Sequence, residues 1–375
     1  MAVPLRLALA AVGLGLTACQ APFASNTPQL AKPTPNVEVV AVSSEIASPG
    51  RPVFYLRDLK DANRLLAYDW AGVPRGSLTV SSSEPYGVYP SADGTMLLLM
   101  HASVVSGGRS VGHTAIGSWA GDNAHLCAFL NRIGGSPGYA PRQLGPNTFE
   151  NYATPGTLFY ESVDGSTRRV LDYGQFGSHG GPTVLACSAA NDRAVVGGSF
   201  VAQVSGLEVI RLSDGKVVGL GPSRSPTGTE GVMVSADARL IALGSAGGIS
   251  VAGGADGFSV YRLPDNTKIA HITGGGLRAF SADDTRALIV GDIDGSNERQ
   301  RYQLIDLATS RSLWSAVLSP GIVLSRPGSG DFLVGSTTRE LSATRANAYD
   351  SFEDLWLIAA DGSARLLLKR VSPVQ

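Results

Sequence analysis

Ser91-Ala92-Asp93-Gly94-Thr95, running straight into Met96-Leu97-Leu98-Leu99-Met100, is the stretch on which the reading of this 375-residue chain turns. Ser and Asp side chains bond backbone N–H groups just ahead of them, and Gly supplies positive φ without steric cost, so the first five residues form a tight reversal. The apolar run that follows is short and reads as a strand. The device recurs as Ser235-Ala236-Asp237 before Leu240-Ile241-Ala242-Leu243, and as Ser281-Ala282-Asp283 before Ala287-Leu288-Ile289-Val290. It recurs again as Ser188-Ala189-Ala190-Asn191 before Ala194-Val195-Val196. Ser48-Pro49-Gly50, Ser136-Pro137-Gly138 and Ser325-Arg326-Pro327-Gly328 are looser copies. The seven serines are 43, 45, 52, 47, 46 and 44 residues apart, a near-fixed period with room for four short strands. Such a period predicts the blades of a β-propeller.

A second repeat keeps step with the first. Each unit carries an apolar strand that ends in a polar turn, among them Leu65–Trp70, Ala115–Trp119, Thr157–Tyr160, Leu207–Leu212, Phe258–Leu263, Tyr302–Leu307 and Leu355–Ile358. The expectation is an all-β propeller of seven four-stranded blades, with six or eight as alternative counts. Val37–Val42 is the first strand, and the blades end near Val80, Arg132, Gly174, Pro222, Gly275, Leu318 and Val371. Ala364–Val371 is the last strand, and the two ends of the chain are expected to meet and close the ring, which removes exposed sheet edges. Whether Val37–Val42 completes the last blade or starts the first is left open by the pattern.

Ser-Ala-Asp-Gly before a strand, together with Leu355-Trp356-Leu357-Ile358-Ala359-Ala360-Asp361-Gly362, resembles the WD40-like repeats of TolB-type bacterial propellers over about residues 37–371. That resemblance implies fold and says little about activity, since such propellers serve as binding scaffolds and as non-catalytic domains of peptidases. Tyr302–Trp314 also resembles one repeat of quinoprotein-like propellers.

Composition agrees with a large turn-rich domain. Charged residues are 16% of the chain, below the roughly 25% of ordinary domains, and Gly is frequent at 46 residues. A net charge of −1 gives no electrostatic reason to expect nucleic acid.

Residues 1–18 read as a processing segment: Arg6, an apolar Leu7–Leu16 too short for a lasting membrane span, then Leu16-Thr17-Ala18-Cys19. The last four residues resemble a bacterial lipobox. The resemblance implies that Cys19 is lipidated (a palmitate-type anchor) and becomes the new N-terminus, and Gln20 after it implies the outer membrane. Two or more acyl chains anchor stably where one is marginal. Residues 19–36, with Pro22, Pro28, Pro33 and Pro35, read as an extended tether before the propeller domain at 37–375.

The short corners and the long connections are expected on opposite faces. The long ones are Val104–His113, Asp172–Thr183, Pro222–Glu230, Ser245–Gly257, Asp292–Gln300 and Thr338–Asp354. Long loops on a rigid scaffold are where binding concentrates. Arg339, Arg345, Tyr349, Asp350 and Phe352 in the last of these, with His179, are the candidate partner-binding residues, because mixed Arg and aromatic side chains suit a protein interface.

No catalytic residue, metal or cofactor is expected. Gly134-Gly135-Ser136-Pro137-Gly138 fits a nucleophile-elbow pattern, but Pro137 has no N–H to offer an oxyanion. Asp292, Asp294, Asn297 and Glu298 form a weak calcium-loop candidate, since one loop rarely supplies six oxygens. The five histidines show no zinc spacing; His125 and His271 are expected to pack among strand residues. Cys127 and Cys187 are expected as buried thiols, because a seven-blade parsing puts them two blades apart. The leading expectation is a monomeric, non-catalytic envelope scaffold held by lipid, with a protein or cell-wall partner. A pore-centred enzyme (hydrolase or quinone-dependent dehydrogenase) and a carbohydrate or calcium binder are the alternatives.

Overall fold

A computed structural model of the chain describes residues 37–82, 86–91, 93–114, 131–138, 142–145, 148–150, 154–162, 168–171, 183–197, 207–221, 231–244, 257–292, 299–319, 321–336 and 354–369. The chain divides into two units, Met1–Thr34 and Pro35–Gln375, and all of these residues belong to the second.

The corners form as their chemistry dictates. In three of them the Ser Oγ donates to the Asp two residues on: Ser91 to Asp93 at 2.7 Å, Ser235 to Asp237 at 2.6 Å and Ser281 to Asp283 at 2.7 Å. The same Oγ accepts the N–H that opens the next strand, from Met96 at 3.1 Å, Leu240 at 2.9 Å and Arg286 at 2.9 Å. The Asp oxygen accepts the backbone N–H of Thr95, Arg239 or Thr285. The residue after the Asp takes positive φ, at Gly94 (74°), Ala238 (60°) and Asp284 (59°). Ser235 and Ser281 are each only 2% exposed, so a single buried hydroxyl satisfies groups that water cannot reach.

Six four-stranded antiparallel blades result. Four follow the chain in simple order: the third blade (Thr183–Ser188, Arg193–Gly197, Leu207–Arg211, Val217–Leu220), the fourth (Val232–Val234, Leu240–Gly244, Phe258–Arg262, Thr267–Ile272), the fifth (Gly276–Phe280, Arg286–Asp292, Gln300–Asp306, Arg311–Leu318) and the sixth (Val323–Ser325, Phe332–Ser336, Asp354–Ile358, Ala364–Lys369). Second strands such as Leu240–Gly244 and Phe332–Ser336 are buried along their whole length. They are covered on both faces, which is why their sequences run continuously apolar instead of alternating.

The first two blades are interleaved. The first contains Val53–Arg57, Arg64–Asp69, Pro74–Ser81 and Ser103–Ser106; the second contains Gly87–Pro90, Met96–Met100, Val37–Val42 and Gly108–Thr114. The N-terminal strand thus neither opens the first blade nor completes the last. It is the third strand of the second blade, antiparallel to Met96–Met100 on one side and Gly108–Thr114 on the other. Val39 and Val40 are fully buried there, and the Glu38 carboxylate, 6% exposed, accepts the Val104 N–H at 2.9 Å from the neighbouring blade.

Side chains fill the seams between blades. Ala186, Val195 and Val209 of the third blade meet Ile241 and Leu243 of the fourth. Leu240 and Val260 meet Leu277 and Ile289 of the fifth, and Leu288 and Tyr302 meet Phe332 and Val334 of the sixth. Leu333, Leu355 and Leu357 of the sixth meet Phe54, Leu56 and Trp70 of the first, and Leu65 and Leu78 of the first meet Leu97 and Leu99 of the second. Among the described residues, the sixth blade therefore meets the first through packed side chains, not through a sheet shared between the two chain ends.

Seven four-stranded blades are not what forms. Ser136-Pro137-Gly138 lies inside the strand Asn131–Gly138, paired with Thr154–Ser162, and is not a corner. That strand, Thr154–Ser162 and Arg168–Leu171 make a three-stranded sheet, while Arg142–Gly145 and Thr148–Glu150 form a separate two-stranded hairpin. The residues expected to supply a four-stranded third blade are divided between these two sheets. Ser48-Pro49-Gly50 is a tight turn, with Gly50 at φ 79°, but it links strands of two different blades. The Val104–His113 stretch is no loop either: it reverses at Gly107 (φ 82°) and supplies the outermost strand of each of the first two blades.

Ser281→Ala removes the hydroxyl that holds the fifth corner and strands the Arg286 N–H. The expected cost is about 1–3 kcal/mol of unfolding free energy, read from urea denaturation, against less than about 0.5 kcal/mol for an exposed Ser→Ala control.

Candidate partner-binding face

In an antiparallel meander, alternate connections leave the sheet at opposite ends, so each blade sends its first-to-second and third-to-fourth turns to one face and its second-to-third connection to the other. The third to sixth blades divide their residues unequally between these faces. Third-to-fourth turns occupy 212–216, 263–266, 307–310 and 359–363, whereas second-to-third connections occupy 198–206, 245–257, 293–299 and 337–353. The entries to the first strands, also expected to be long, are uneven: residues 172–182 and 221–231 precede the third and fourth blades, but only residues 273–275 separate Ile272 from Gly276. Within each of these blades the second-to-third connection is the longest.

The short-turn face is bonded across its seams. The Asn191 amide donates to Asp237 O at 2.9 Å, linking the third and fourth blades. Arg239 ion-pairs with Asp237 of its own corner and, at 2.9 Å, with Asp284 of the fifth blade. Arg286 of the fifth blade donates to Ala360 O of the sixth at 3.0 Å, and Asp331 accepts the Ala360 N–H at 2.9 Å. Ser325 donates to Phe280 O at 2.7 Å across the same seam. Each bond is made by a corner residue, so the sequence feature that turns the chain also ties neighbouring blades.

Two carboxyls meet at one of these ties. Burial, then the charge and hydrogen bond of Asp237, push Asp284 up to about 7. Its Oδ1 is buried without a partner, which a protonated acid tolerates better than a carboxylate. Asp237 moves the opposite way: burial opposes ionisation, but hydrogen bonds from Ser235, Arg239 and Asp284 outweigh it. The two sites share a titration. Elsewhere, burial followed by the nearby Asp93 charge raises the Tyr55 phenol, whose O–H donates to Gly94 O at the second blade's corner.

The sequence-selected site residues fall outside what the structure describes. Cys19, His179, Asp294, Asn297, Glu298, Arg339, Arg345, Tyr349, Asp350 and Phe352 all lie outside the described residues, as does the Ala115–Trp119 strand. Asp292 ends the second strand of the fifth blade, and Asp354 opens the third strand of the sixth, so these two fix where their connections leave the sheet. Among the described residues, no three His, Cys, Asp or Glu side chains gather as a metal site. His271 does not pack as expected: it is exposed, with Nδ1 3.0 Å from the Ser259 hydroxyl. Cys187 corrects a further expectation, being fully buried and disulfide-bonded, not a free thiol. Its blade assignment rested on a four-stranded third blade that does not exist.

No protein-family model matches the chain, and no curated protein does. Solved structures with a similar fold include a eukaryotic initiation factor, at 14% identity over 88% of this chain and 95% of that one with a TM-score of 0.42. AztD from Citrobacter koseri is similar at 9% identity over 88% and 93%, with a TM-score of 0.40. BamB from Moraxella catarrhalis is similar at 12% identity over 78% and 85%, with a TM-score of 0.31. The propeller itself rests on the six blades and their seams.

The Asp284 shift carries a pH prediction. An acid whose folded pKa is raised stabilises fully below its unfolded pKa and loses that contribution as pH rises through the folded value. The fold is therefore expected to lose stability between about pH 4 and about pH 7 on account of this group. Asp284→Asn keeps the positive-φ position in a residue suited to it and flattens that dependence. Denaturant titrations at pH 5 and pH 8 are expected to show the variant gaining on the wild type at the higher pH.

Proposed function

We propose that this chain is a lipid-anchored propeller of the bacterial cell envelope that binds a protein or cell-wall partner through the face carrying its second-to-third connections. The observation that supports this most is the unequal division of residues: four successive blades place their longest connection on one face, while the other face is committed to hydrogen-bonded corners. Loops held on a rigid scaffold present side chains at little ordering cost, which favours binding over a flexible surface. Arg339, Arg345, Tyr349, Asp350 and Phe352 in the longest of these connections are the proposed contacts, with His179. Arg and aromatic side chains supply the anchors that dominate interfaces.

The leader supplies the rest of the reading. Lipid on Cys19 holds the chain at the outer membrane, and the proline-containing stretch before Val37 sets its reach. A disulfide at Cys187 favours an oxidising compartment independently of the leader. The chain has three cysteines, so a lipidated Cys19 leaves Cys127 as the intrachain partner of Cys187. The propeller acts as a monomer and needs no cofactor in this role.

Crosslinking in native membranes, with pull-down through a C-terminal tag, tests the binding face. A specific protein or peptidoglycan fragment is expected with the wild type and is expected to be lost when Arg345, Tyr349 and Phe352 are changed to Ala. No specific partner in either sample would contradict the reading. Non-reducing mass spectrometry of the intact mature chain is expected to find no free thiol and an acylated N-terminal Cys19; a Cys19→Ala chain is expected in the soluble fraction.

A further inference from the structure

The corner serines align the first strands of the blades, and the residue three places before each serine can be compared directly. It is Val88 in the second blade, Leu185 in the third, Val232 in the fourth and Ile322 in the sixth. In the fifth blade it is Arg278. All five positions are half-buried. Four blades place an aliphatic side chain here, and Leu185, Val232, Ile322 and Val88 pack against the seam cores. One blade places a guanidinium in the same setting.

Nothing in the described structure compensates that charge. The ion pairs among the described residues engage Arg64, Arg75, Arg211, Arg239, Arg286 and Arg326, and none of them engages Arg278. A half-buried cation without a partner costs free energy that an aliphatic residue at the same place would not. The backbone marks the position too, as it does Leu185 of the third blade, where the register shifts between Val184 and Ala186. The ladder between Gly276–Phe280 and Arg286–Asp292 shifts register between Leu277 and Ala279, so Arg278 is the extra residue of a β-bulge. Bulges re-aim side chains and concentrate beside binding sites. Arg278 lies close enough to the Tyr302 phenol to act on it electrostatically, and the Tyr302 oxygen accepts the Gly321 N–H in the seam between the fifth and sixth blades. Tyr302 is itself 1% exposed.

We propose that Arg278 anchors an anion site on the first strand of the fifth blade, beside Tyr302, that takes the carboxylate or phosphate group of a small ligand. The planar guanidinium fork matches either oxyanion in bidentate fashion, and a ligand of that kind supplies the negative charge that the described residues do not place there. The site is independent of the lipid anchor and of the loop-face partner, so it stands or falls apart from both.

The purified full-length chain, titrated with inorganic phosphate and separately with malonate against chloride at matched ionic strength, tests the proposal. Saturable stabilisation by phosphate or malonate beyond the chloride baseline is expected in thermal unfolding, and the more effective of the two identifies the group recognised. Arg278→Leu, which installs what the third blade carries at the equivalent position, is expected to lose that response at least tenfold in apparent affinity. Without added anion it is expected to melt at or above the wild-type temperature, because an uncompensated charge has been removed. Arg278→Gln is read in the same way should the Leu variant fail to accumulate. Equal responses in wild type and variant, no response to either anion beyond chloride, or a variant that melts below the wild type without anion would overturn the assignment.

Discussion

The buried corner hydroxyl is the interaction on which the rest of the molecule depends. Between the first and second strands of a blade the chain must reverse in a few residues at the edge of a packed seam, where stranded N–H groups have no water to turn to. Ser235 and Ser281 meet this by donating to Asp and accepting from the next strand at once. A hydroxyl does both, whereas a carboxylate only accepts and an ammonium only donates. Corner side chains then reach the neighbouring blade, as Asn191 does to the Asp237 carbonyl and Arg239 to Asp284, and the corner doubles as an inter-blade tie. Local chain reversal and ring assembly therefore use the same few side chains.

That economy has a consequence for the two faces. Corners that bond each other leave little room for insertion, because a lengthened corner would break its own hydrogen bonds and those of its neighbour. Connections on the opposite face carry no such duty and can lengthen at small entropic cost. The asymmetry between residues 359–363 and residues 337–353 of the sixth blade follows from this constraint. It also explains how a rigid body can carry varied loops without losing its packing.

The sequence made the repeating unit legible because its signals are local. A Ser, an Asp two residues later and a five-residue apolar run lie within about ten positions, and the corners at Ser91, Ser188, Ser235, Ser281 and Ser325 all join the first two strands of a blade. Long-range pairing was not legible. Val37–Val42 is a generic buried strand, and nothing in its side chains says that its neighbours are Met96–Met100 and Gly108–Thr114. Ser136-Pro137-Gly138 has turn-forming residues yet pairs as strand with Thr154–Ser162, because tertiary context overrides a weak local preference. The state of Cys187 depends on the same long-range pairing, since the distance between two cysteines follows from the number of blades between them. Arg278 is hidden for a different reason: a single Arg in an apolar strand stands out only once the corners are aligned blade against blade.

The interleaving of the first two blades gives the N-terminal strand an unusual weight. It occupies an interior position of a sheet, with Val39 and Val40 fully buried and Glu38 bonded into the adjacent blade. A strand so placed cannot leave without opening two blades at once. Native-state hydrogen exchange read by mass spectrometry tests this most directly. The amides of Val37–Val42 are expected to exchange only through global unfolding, with the same protection as Leu240–Gly244. Exchange of Val37–Val42 at the rate of an unfolded peptide, while Leu240–Gly244 stays protected, would contradict the account of how this propeller is built.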